Sequence, residues 1–278
     1  MLEKEAVPNE CAASDVRAAQ DARDAGAPEV TVGEGQRLDA ESLDAFFARA
    51  PRFALAFSGG ADSAYLLAAA LRAGCTVGVY CVKTAFQADF ELDDARMVLR
   101  ALGRDAAADD AVRGMRVLRL DVLSQPDVCA NPPDRCYLCK RFILGAVREA
   151  AARDGFDVLA DGTNATDDPA RRPGFRALAE LGAVSPLRRA GMTKEDVRAA
   201  SRALGVPTAD KPSFSCLATA VAQGERLTEA SLAQAARERG VDGGRRPWNV
   251  PEPLAPSAGN GKADAASGAG KEDDDGRA

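Results

Sequence analysis

The stretch RFALAFSGGADSAYLLAAALRA, residues 52–73, decides the fold of this chain. Its first six residues form an apolar, strand-like run, and residues 62–73 have the pattern of a helix. Between them lie Gly59 and Gly60, two adjacent glycines that let the backbone approach an anion closely. A helix that starts there also offers free N–H groups and the positive end of its dipole. The pattern therefore predicts a phosphate-binding loop.

The same loop carries side chains that suit a bound nucleotide. Two hydroxyl donors and one carboxylate lie within it, the carboxylate being a candidate ligand for Mg²⁺: Ser58, Ser63 and Asp62. The loop matches neither GxxxxGK[ST] nor GxGxxG, so it is not one of the two commonest nucleotide fingerprints. The alternative is an ordinary glycine turn in which Asp and Ser cap a helix.

Short apolar runs alternate with longer amphipathic segments along the rest of the chain. Strands are predicted at residues 52–57, 75–82, 115–122 and 156–160. Helices are predicted at residues 62–73, 90–102, 136–153, 194–204 and 229–239. Such alternation is typical of βαβ units with right-handed crossovers. The predicted fold class is α/β, an open doubly wound parallel sheet whose ligands lie at the carboxyl ends of the strands.

Both ends of the sequence are poor in apolar residues and rich in Ala, Gly and charge. Such segments bury too little apolar area to offset their conformational entropy. We therefore expect a disordered leader at residues 1–37, a folded domain at 38–240 and a low-complexity tail at 241–278.

Composition excludes several classes of function. The 278 residues contain no histidine, which removes Ser-His and Cys-His catalytic pairs and HExxH zinc sites. A net charge of −6 argues against a protein that mainly coats nucleic acid. No window of about 18 residues is apolar enough to cross a membrane, and the N-terminus has no signal-peptide pattern, so a cytoplasmic location is expected.

Seven cysteines, an odd and sparse number, fit a disulfide scaffold poorly. Cys136 and Cys139 form a CxxC at the start of a predicted helix, where the i, i+3 spacing places both sulfurs on one face. The helix N-terminus and the basic neighbours favour thiolates: Arg135, Lys140 and Arg141. With Cys216 as a third thiolate and no histidine, an iron–sulfur cluster suits the set better than structural zinc. The alternative is a set of partly buried, unreactive thiols.

A polar segment, DGTNATDD, follows the strand predicted at residues 156–160. Asp161, Thr163, Asn164 and Asp168 are candidates for contact with nucleotide, Mg²⁺ or substrate at the carboxyl edge of the sheet. An Asx-rich turn explains the same composition. Lys194, near the start of a predicted helix, is a candidate for contact with pyrophosphate, and a solvent-facing lysine is the alternative.

Taken together, these motifs resemble a known family. SGGADS resembles the PP-loop of the ATP pyrophosphatases, which split ATP into AMP and pyrophosphate and share an adenine nucleotide alpha hydrolase-like fold. Four further segments, residues 132–142, 161–168, 185–198 and 211–219, resemble the LarE-type ATP-dependent sulfur transferases. The resemblance runs from about residue 38 to residue 235.

The resemblance implies an enzyme that uses ATP and Mg²⁺ to adenylylate a carboxylate and then replaces oxygen by sulfur. LarE-type enzymes act on pyridinium biscarboxylic acid mononucleotide in nickel-pincer cofactor synthesis. In the branch with three cysteines, a [4Fe–4S] cluster supplies the sulfur. In the other branch, the cysteine matching Cys216 gives up its own sulfur and becomes dehydroalanine. Because Cys136 and Cys139 are also present here, the sequence favours the cluster, with all three cysteines as its ligands.

The sequence departs from the family at two places. Family members usually read CLASR where this chain has Cys216-Leu217-Ala218-Thr219-Ala220, and an α/β region expected after residue 240 is replaced by the predicted tail. A homo-oligomer is left open. The alternative functions are a tRNA thiolase of the PP-loop type and a non-catalytic nucleotide-binding relative.

Overall fold

The computed structural model describes residues 41–250, so the leader predicted at 1–37, Cys11 and residues 251–278 lie outside it. Within these residues the chain forms one parallel sheet with helices around it. Its strands are β1 (Arg52–Ala56), β2 (Thr76–Lys83), β3 (Arg116–Arg119) and β4 (Leu159–Asp161), in the spatial order β3-β2-β1-β4. The predicted α/β class with a parallel sheet is confirmed.

Nine α-helices lie within residues 41–250. They are α1 (Leu43–Arg49), α2 (Ala61–Arg72), α3 (Asp89–Ala101), α4 (Pro126–Cys129), α5 (Arg135–Arg153), α6 (Gly174–Glu180), α7 (Pro186–Arg189), α8 (Lys194–Ala203) and α9 (Glu229–Glu238). Four 3₁₀ turns accompany them, at Val122–Ser124, Pro169–Arg171, Leu217–Ala220 and Asp242–Gly244. Each of the five predicted helices is present within one residue at either end, whereas α1, α4, α6 and α7 were not predicted. No helix in this part of the chain is long and apolar enough to span a membrane.

Apolar side chains alternate across the sheet and bury both of its faces. Phe53 and Leu55 of β1 pack with apolar residues of α1, α2, α3 and α8, while Ala54 and Tyr80 face Val147 of α5. Burial of this kind is favourable by about 25 cal/mol per Å² of apolar surface. The sheet is therefore covered on both sides, and only its edges and strand ends are left for ligands.

A second apolar cluster lies beside the sheet, and we call it the α3–α9 cluster. It joins the start of α3, the turn after Cys216 and α9 through Phe90, Leu217, Leu232 and Val241. Val241, the first residue of the predicted tail, is only 2% exposed. Trp248 packs against the same cluster, so the described part of the tail contacts the domain.

The strand order reverses direction between β1 and β4. The chain passes outward through β1, β2 and β3 and then returns to β4 on the other side of β1. Loops that leave neighbouring strands in opposite directions open a crevice at the carboxyl ends, which is where open α/β sheets bind ligands. Here the two loops are the predicted phosphate loop after β1 and the DGTNATDD segment after β4.

Candidate functional site

The phosphate loop connects β1 to α2 and depends on glycine at two points. Gly59 has φ +68°, in the left-handed region, and a Cβ there would lie 2.7 Å from the backbone N and Cα of Ala95 in α3. Gly60 is the N-cap of α2, and no side chain caps that helix. The first-turn N–H groups of α2 therefore have no capping side chain, as anion binding at a helix N-terminus requires.

The two serines of the loop play different parts. Ser63 is buried, and its hydroxyl accepts the backbone N–H of Ser58 at 3.3 Å and donates to the carbonyl of Gly60 at 3.3 Å. Ser58 is exposed, and its hydroxyl lies 3.2 Å from that of Ser63. Ser63 thus braces the loop from inside, and Ser58 is the hydroxyl that faces solvent.

Asp62 is the point where the loops after β1 and β4 meet. The side-chain amide of Asn164 donates to the Asp62 carboxylate at 3.2 Å. The backbone at Gly162 approaches so closely that a Cβ there would lie 2.8 Å from the N atom of Ser63. Burial raises the pKa of Asp62, and the charges of Lys194 and Arg198 oppose that rise.

Asp161 and Thr163 hold their own loop in place. Asp161 is buried and accepts hydrogen bonds from the hydroxyls of Thr163 at 2.5 Å and Ser185 at 2.6 Å. The ammonium of Lys140, from the helix that carries the CxxC, lies 3.6 Å from the same carboxylate. These contacts make Asp161 an anchor between the loop and α5, with its oxygens turned inward.

Asp168, the last predicted residue of the segment, is exposed, and its carboxylate accepts the N–H of Ala170 at the start of a 3₁₀ turn. The charge of its neighbour Asp167 adds to the effect of burial in raising the pKa of Asp62. Asp167 also pairs with Arg172 at 2.8 Å. The sequence analysis named Asp168 and not Asp167, but nothing in the sequence pattern distinguishes these adjacent aspartates.

Helix α8 connects the phosphate loop to the segment that leads to Cys216. Lys194, whose charge acts on Asp62, donates from its ammonium to the hydroxyl of Ser213 at 2.7 Å. Arg198, one turn further along, donates to two carbonyls of the same segment, those of Ala209 at 2.6 Å and Lys211 at 2.7 Å. Arg198 was not among the predicted site residues.

One buried guanidinium contacts the sulfur of Cys136 and the turn that follows Cys216. Arg135 donates to the sulfur of Cys136 at 3.5 Å and to the carbonyl of Ala218 at 2.6 Å, in the turn that follows Cys216. It also donates to the side-chain oxygen of Asn131 at 2.8 Å. Arg135 therefore joins the start of α5 to the Cys216 turn, although residues 135 and 218 are far apart in sequence.

The expectation that these thiols are held as thiolates is wrong for Cys139 and Cys216. Burial, together with the neighbouring Cys216 and Cys136, raises the pKa of Cys139 to about 12. Burial also raises the pKa of Cys216, against the lowering effects of Arg135 and of the N–H groups of Thr219 and Ala218. Desolvation outweighs the positive charge at both sulfurs.

The fit of these residues to a metal group is poor. Within residues 41–250, no three Cys, Asp or Glu side chains are grouped so that they could hold a metal ion. Cys136 is exposed beside Arg135, while Cys139 and Cys216 are half-buried against the α3–α9 cluster. The predicted [4Fe–4S] site is thus not preformed. Mg²⁺ differs, because it is commonly held by one or two carboxylates together with substrate phosphates, and Asp62 fits that pattern.

A second arginine fixes the Cys216 turn from the other side. Arg239, at the end of α9, donates to the carbonyls of Ser215 at 2.7 Å and Cys216 at 3.1 Å and to the hydroxyl of Thr219 at 2.8 Å. It places a guanidinium near Ala220, the position where the family motif has arginine. The sequence carried no signal for this contact, because residues 216 and 239 belong to different predicted elements.

Two clefts adjoin these groups. One, of about 420 Å³, lies between the start of α5 and the residues after Cys216, and Arg135, Cys136 and Thr219 line it. The other, of about 730 Å³, lies at the carboxyl ends of β2 and β3 against α9, with Lys83 and Leu217 in its wall. Both volumes suit small molecules.

The remaining described cysteines are buried. Burial raises the pKa of Cys75 and Cys129, and it raises that of Cys81 to about 12. The thiol of Cys129 lies 3.1 Å from the carbonyl of Leu123. Cys75 and Cys81 belong to the main apolar core.

Comparison with known proteins gives the family. No family model matches the chain. The chain is 30% identical over 199 residues, 71% of its length, to uncharacterized protein slr1717 of Synechocystis, of which it covers 70%. The chain belongs to the family of slr1717. It is also 27% identical over 165 residues to uncharacterized protein MJ0830 of Methanocaldococcus jannaschii, at 59% of each chain.

A third protein similar to this chain has a named activity. The chain is 32% identical over 185 residues, 66% of its length, to pyridinium-3,5-bisthiocarboxylic acid mononucleotide synthase of Lactiplantibacillus plantarum, of which it covers 64%. The chain thus spans about two thirds of the length of these relatives. This similarity supports the LarE-type family that the sequence motifs indicate.

Proposed function

We propose that the chain is an ATP-dependent sulfur transferase that adenylylates a carboxylate of a small mononucleotide and replaces an oxygen of that carboxylate by sulfur. The observation that carries the proposal is the bridge made by α8. Through Lys194 and Arg198, this helix acts on Asp62 of the phosphate loop and binds the segment that ends at Cys216. The named relative, whose product is a bisthiocarboxylic acid mononucleotide, supports a pyridinium biscarboxylic acid mononucleotide as the acceptor, in nickel-pincer cofactor synthesis.

The first step is adenylylation. The phosphates of ATP lie against the backbone of residues 58–63 and the N-terminus of α2, with Lys194 beside them. Mg²⁺, held by Asp62 and the phosphates, would neutralise charge on the departing pyrophosphate. A carboxylate oxygen of the acceptor forms a bond to the α-phosphorus of ATP, and the bond from that phosphorus to pyrophosphate breaks. The product is an acyl adenylate.

The second step forms a thioester. The sulfur of Cys216 loses its proton, attacks the acyl carbon and displaces AMP, which leaves with the electron pair of the broken C–O bond. Because burial raises the pKa of Cys216, the thiolate needs support as it forms. Arg135 and the N–H groups of Ala218 and Thr219 supply that support, as preorganised donors do at developing charge.

The third step releases the sulfur. A base removes the Cα proton of Cys216, the Cβ–Sγ bond breaks, and the acceptor leaves as a thiocarboxylate. Residue 216 is left as dehydroalanine, so each chain donates one sulfur atom. The competing source, a [4Fe–4S] cluster on Cys136, Cys139 and Cys216, is assigned no step because the described thiols are not grouped to hold a metal.

The experiment measures pyrophosphate release from MgATP with pyridinium biscarboxylic acid mononucleotide as the acceptor. We expect release that depends on the acceptor and yields its thiocarboxylate. The Cys75→Ala variant, changed at a thiol in the main core, is the matched control and should behave as the wild type. Release with tRNA but not with the mononucleotide would identify a tRNA thiolase. Binding of ATP or AMP with no release for any acceptor would identify a non-catalytic nucleotide binder.

A second measurement decides the sulfur source. The protein is purified with and without oxygen, and its iron content and visible absorption are determined. Sulfur donation by Cys216 itself predicts a colourless, iron-free protein that is active in either case. A brown protein with iron near four per chain would restore the cluster route.

A further inference from the structure

A buried carboxylate in α3 ties the described end of the chain to the interior. Asp94 is fully buried, and its oxygens lie 2.5 Å from Nε of Arg246, 3.0 Å from Nε1 of Trp248 and 2.8 Å from Nζ of Lys211. The 3₁₀ turn Asp242–Gly244 lies against the same helix. A buried charge of this kind persists only when it is paired and hydrogen-bonded, and here three donors satisfy it.

The residue after Asp94 contacts the phosphate loop. Ala95 lies so close to Gly59 that no side chain fits between them. Adjacent residues of one helix turn move together, so whatever holds Asp94 also fixes the distance from α3 to the phosphate loop. The contacts of Asp94 with Arg246 and Trp248 therefore act on the same helix turn as the ATP site.

The same carboxylate is connected to the cysteine site, by which we mean Cys136, Cys139, Cys216 and the turn that follows Cys216. Lys211 is 6% exposed, and its carbonyl accepts from Arg198 of α8. Its ammonium also lies 5.5 Å from the ring of Phe90, which packs edge to face on Phe214, two residues before Cys216. Asp94 thus contacts the described end of the chain and the segment that leads to the proposed sulfur donor.

We propose that Asp94, Arg246 and Trp248 are positioning residues that hold α3 against the phosphate loop, so that residues 246–248 belong to the ATP-binding machinery. This proposal rests on the proposed function and adds residues to it that lie beyond the predicted domain end at 240. Because the chain has one tryptophan, Trp248, intrinsic tryptophan fluorescence reports on the surroundings of that residue alone.

The test measures MgATP affinity of the full chain by equilibrium dialysis and Trp248 emission in parallel. We expect MgATP to change the emission of the wild type. Arg246→Ala should weaken MgATP affinity about tenfold, which is about 1.4 kcal/mol. Arg246→Lys should restore part of the loss, because an ammonium still reaches Asp94. Arg245→Ala, at the exposed neighbouring position, makes the same charge change and should leave affinity unchanged.

The effect should fall on ATP binding more than on later steps, so the ATP concentration that gives half the maximal single-turnover rate should rise with little change in that maximal rate. Since Asp94→Asn leaves Lys211 without its buried partner and endangers folding, the test relies on the half-buried Arg246. Wild-type MgATP affinity in a folded Arg246→Ala variant would overturn the positioning role while leaving the proposed function intact. Failure of the wild type to bind MgATP would instead overturn the proposed function, and this proposal with it.

Discussion

The phosphate loop is built from one continuous stretch of chain, residues 58–63, whereas the cysteine site draws on two segments about 80 residues apart. In the loop, the shape follows from local geometry: Gly59 in the left-handed region and the Ser63 hydroxyl bound inside the turn. In the cysteine site, the shape depends on a long-range contact, the guanidinium of Arg135 on the Cys216 turn.

This difference affects how ready each site is to act. The predicted phosphate loop has its backbone donors in place, whereas two thiols of the cysteine site, those of Cys139 and Cys216, are protonated and partly buried. In the predicted phosphate loop no side chain caps the N-terminus of α2, so anion binding there would displace no capping group. Burial raises the pKa of Cys139 and of Cys216, so the proposed donor Cys216 has to lose a proton before it reacts. We therefore expect substitutions in the loop to remove ATP binding, and substitutions in the cysteine site to remove sulfur transfer.

The largest expected effect is the loss of sulfur transfer without the loss of adenylylation. Cys216→Ala should abolish thiolated product, because the proposed sulfur donor is gone, while acceptor-dependent pyrophosphate release continues. Product is measured by mass spectrometry of the small molecules and pyrophosphate by a coupled assay. Normal product formation by this variant would rule out Cys216 as the donor.

Gly59→Ala should nearly abolish ATP binding. Its Cβ would lie 2.7 Å from the backbone of Ala95, and alanine in the left-handed region costs about a further 1 kcal/mol. Gly74→Ala is the matched control, since Gly74 has φ +79° but open space around it. ATP affinity is measured by calorimetry, and equal affinities for the two variants would show that the close packing of α3 on the loop is unimportant.

A smaller effect is expected at Arg135, which connects the start of α5 to the turn after Cys216. Arg135→Met should raise the pKa of Cys216, because the positive charge that lowers it most is removed. Alkylation of that thiol near pH 8 should then slow, about tenfold for a pKa that is higher by one. Peptide mapping after iodoacetamide treatment measures the rate. The control is Arg141→Met on the exposed side of the same helix, and an equal slowing there would show a nonspecific charge effect.

The smallest effect concerns stability in alkaline solution. The pKa of Cys139 is about 12 in the folded chain and about 9 for an ordinary thiol, so the folded state keeps a proton that the unfolded state loses between these values. Stability from this group is complete below about pH 9 and falls as pH rises, by about 1.4 kcal/mol at pH 10. Denaturant unfolding at pH 8 and 10 should show a smaller fall for Cys139→Ala than for Cys136→Ala, and identical falls would contradict the buried thiol's role.

Local sequence predicted the parts that local forces build. The strand–loop–helix around residues 52–73 and the ends of five helices followed from apolar periodicity and glycine placement. Helix α1 was missed although Leu43, Phe46 and Phe47 have helical spacing and Ser42 caps it. Helix α6 begins with Gly174 after Pro173 and is only seven residues long, so its signal was weak.

Long-range contacts were beyond reach of the sequence patterns. Nothing near Asp94 marks Arg246 as its partner, and nothing near Cys216 marks Arg239. The thiolate prediction failed because sequence shows the charges beside a cysteine but not its burial, and burial has the larger effect on the pKa. The sequence placed Asp62 and Asn164 at the same edge of the sheet, because parallel strands bring their carboxyl ends together. It did not predict the hydrogen bond between them.

In the proposed reaction, the phosphate loop and Cys216 act on the same acceptor. The most direct measurement is the mass of the Cys216 peptide after incubation with MgATP and pyridinium biscarboxylic acid mononucleotide. We predict a peptide lighter by one H₂S, formed only when ATP and acceptor are both present. An unchanged cysteine at residue 216 in protein that has made thiocarboxylate would contradict this shared role.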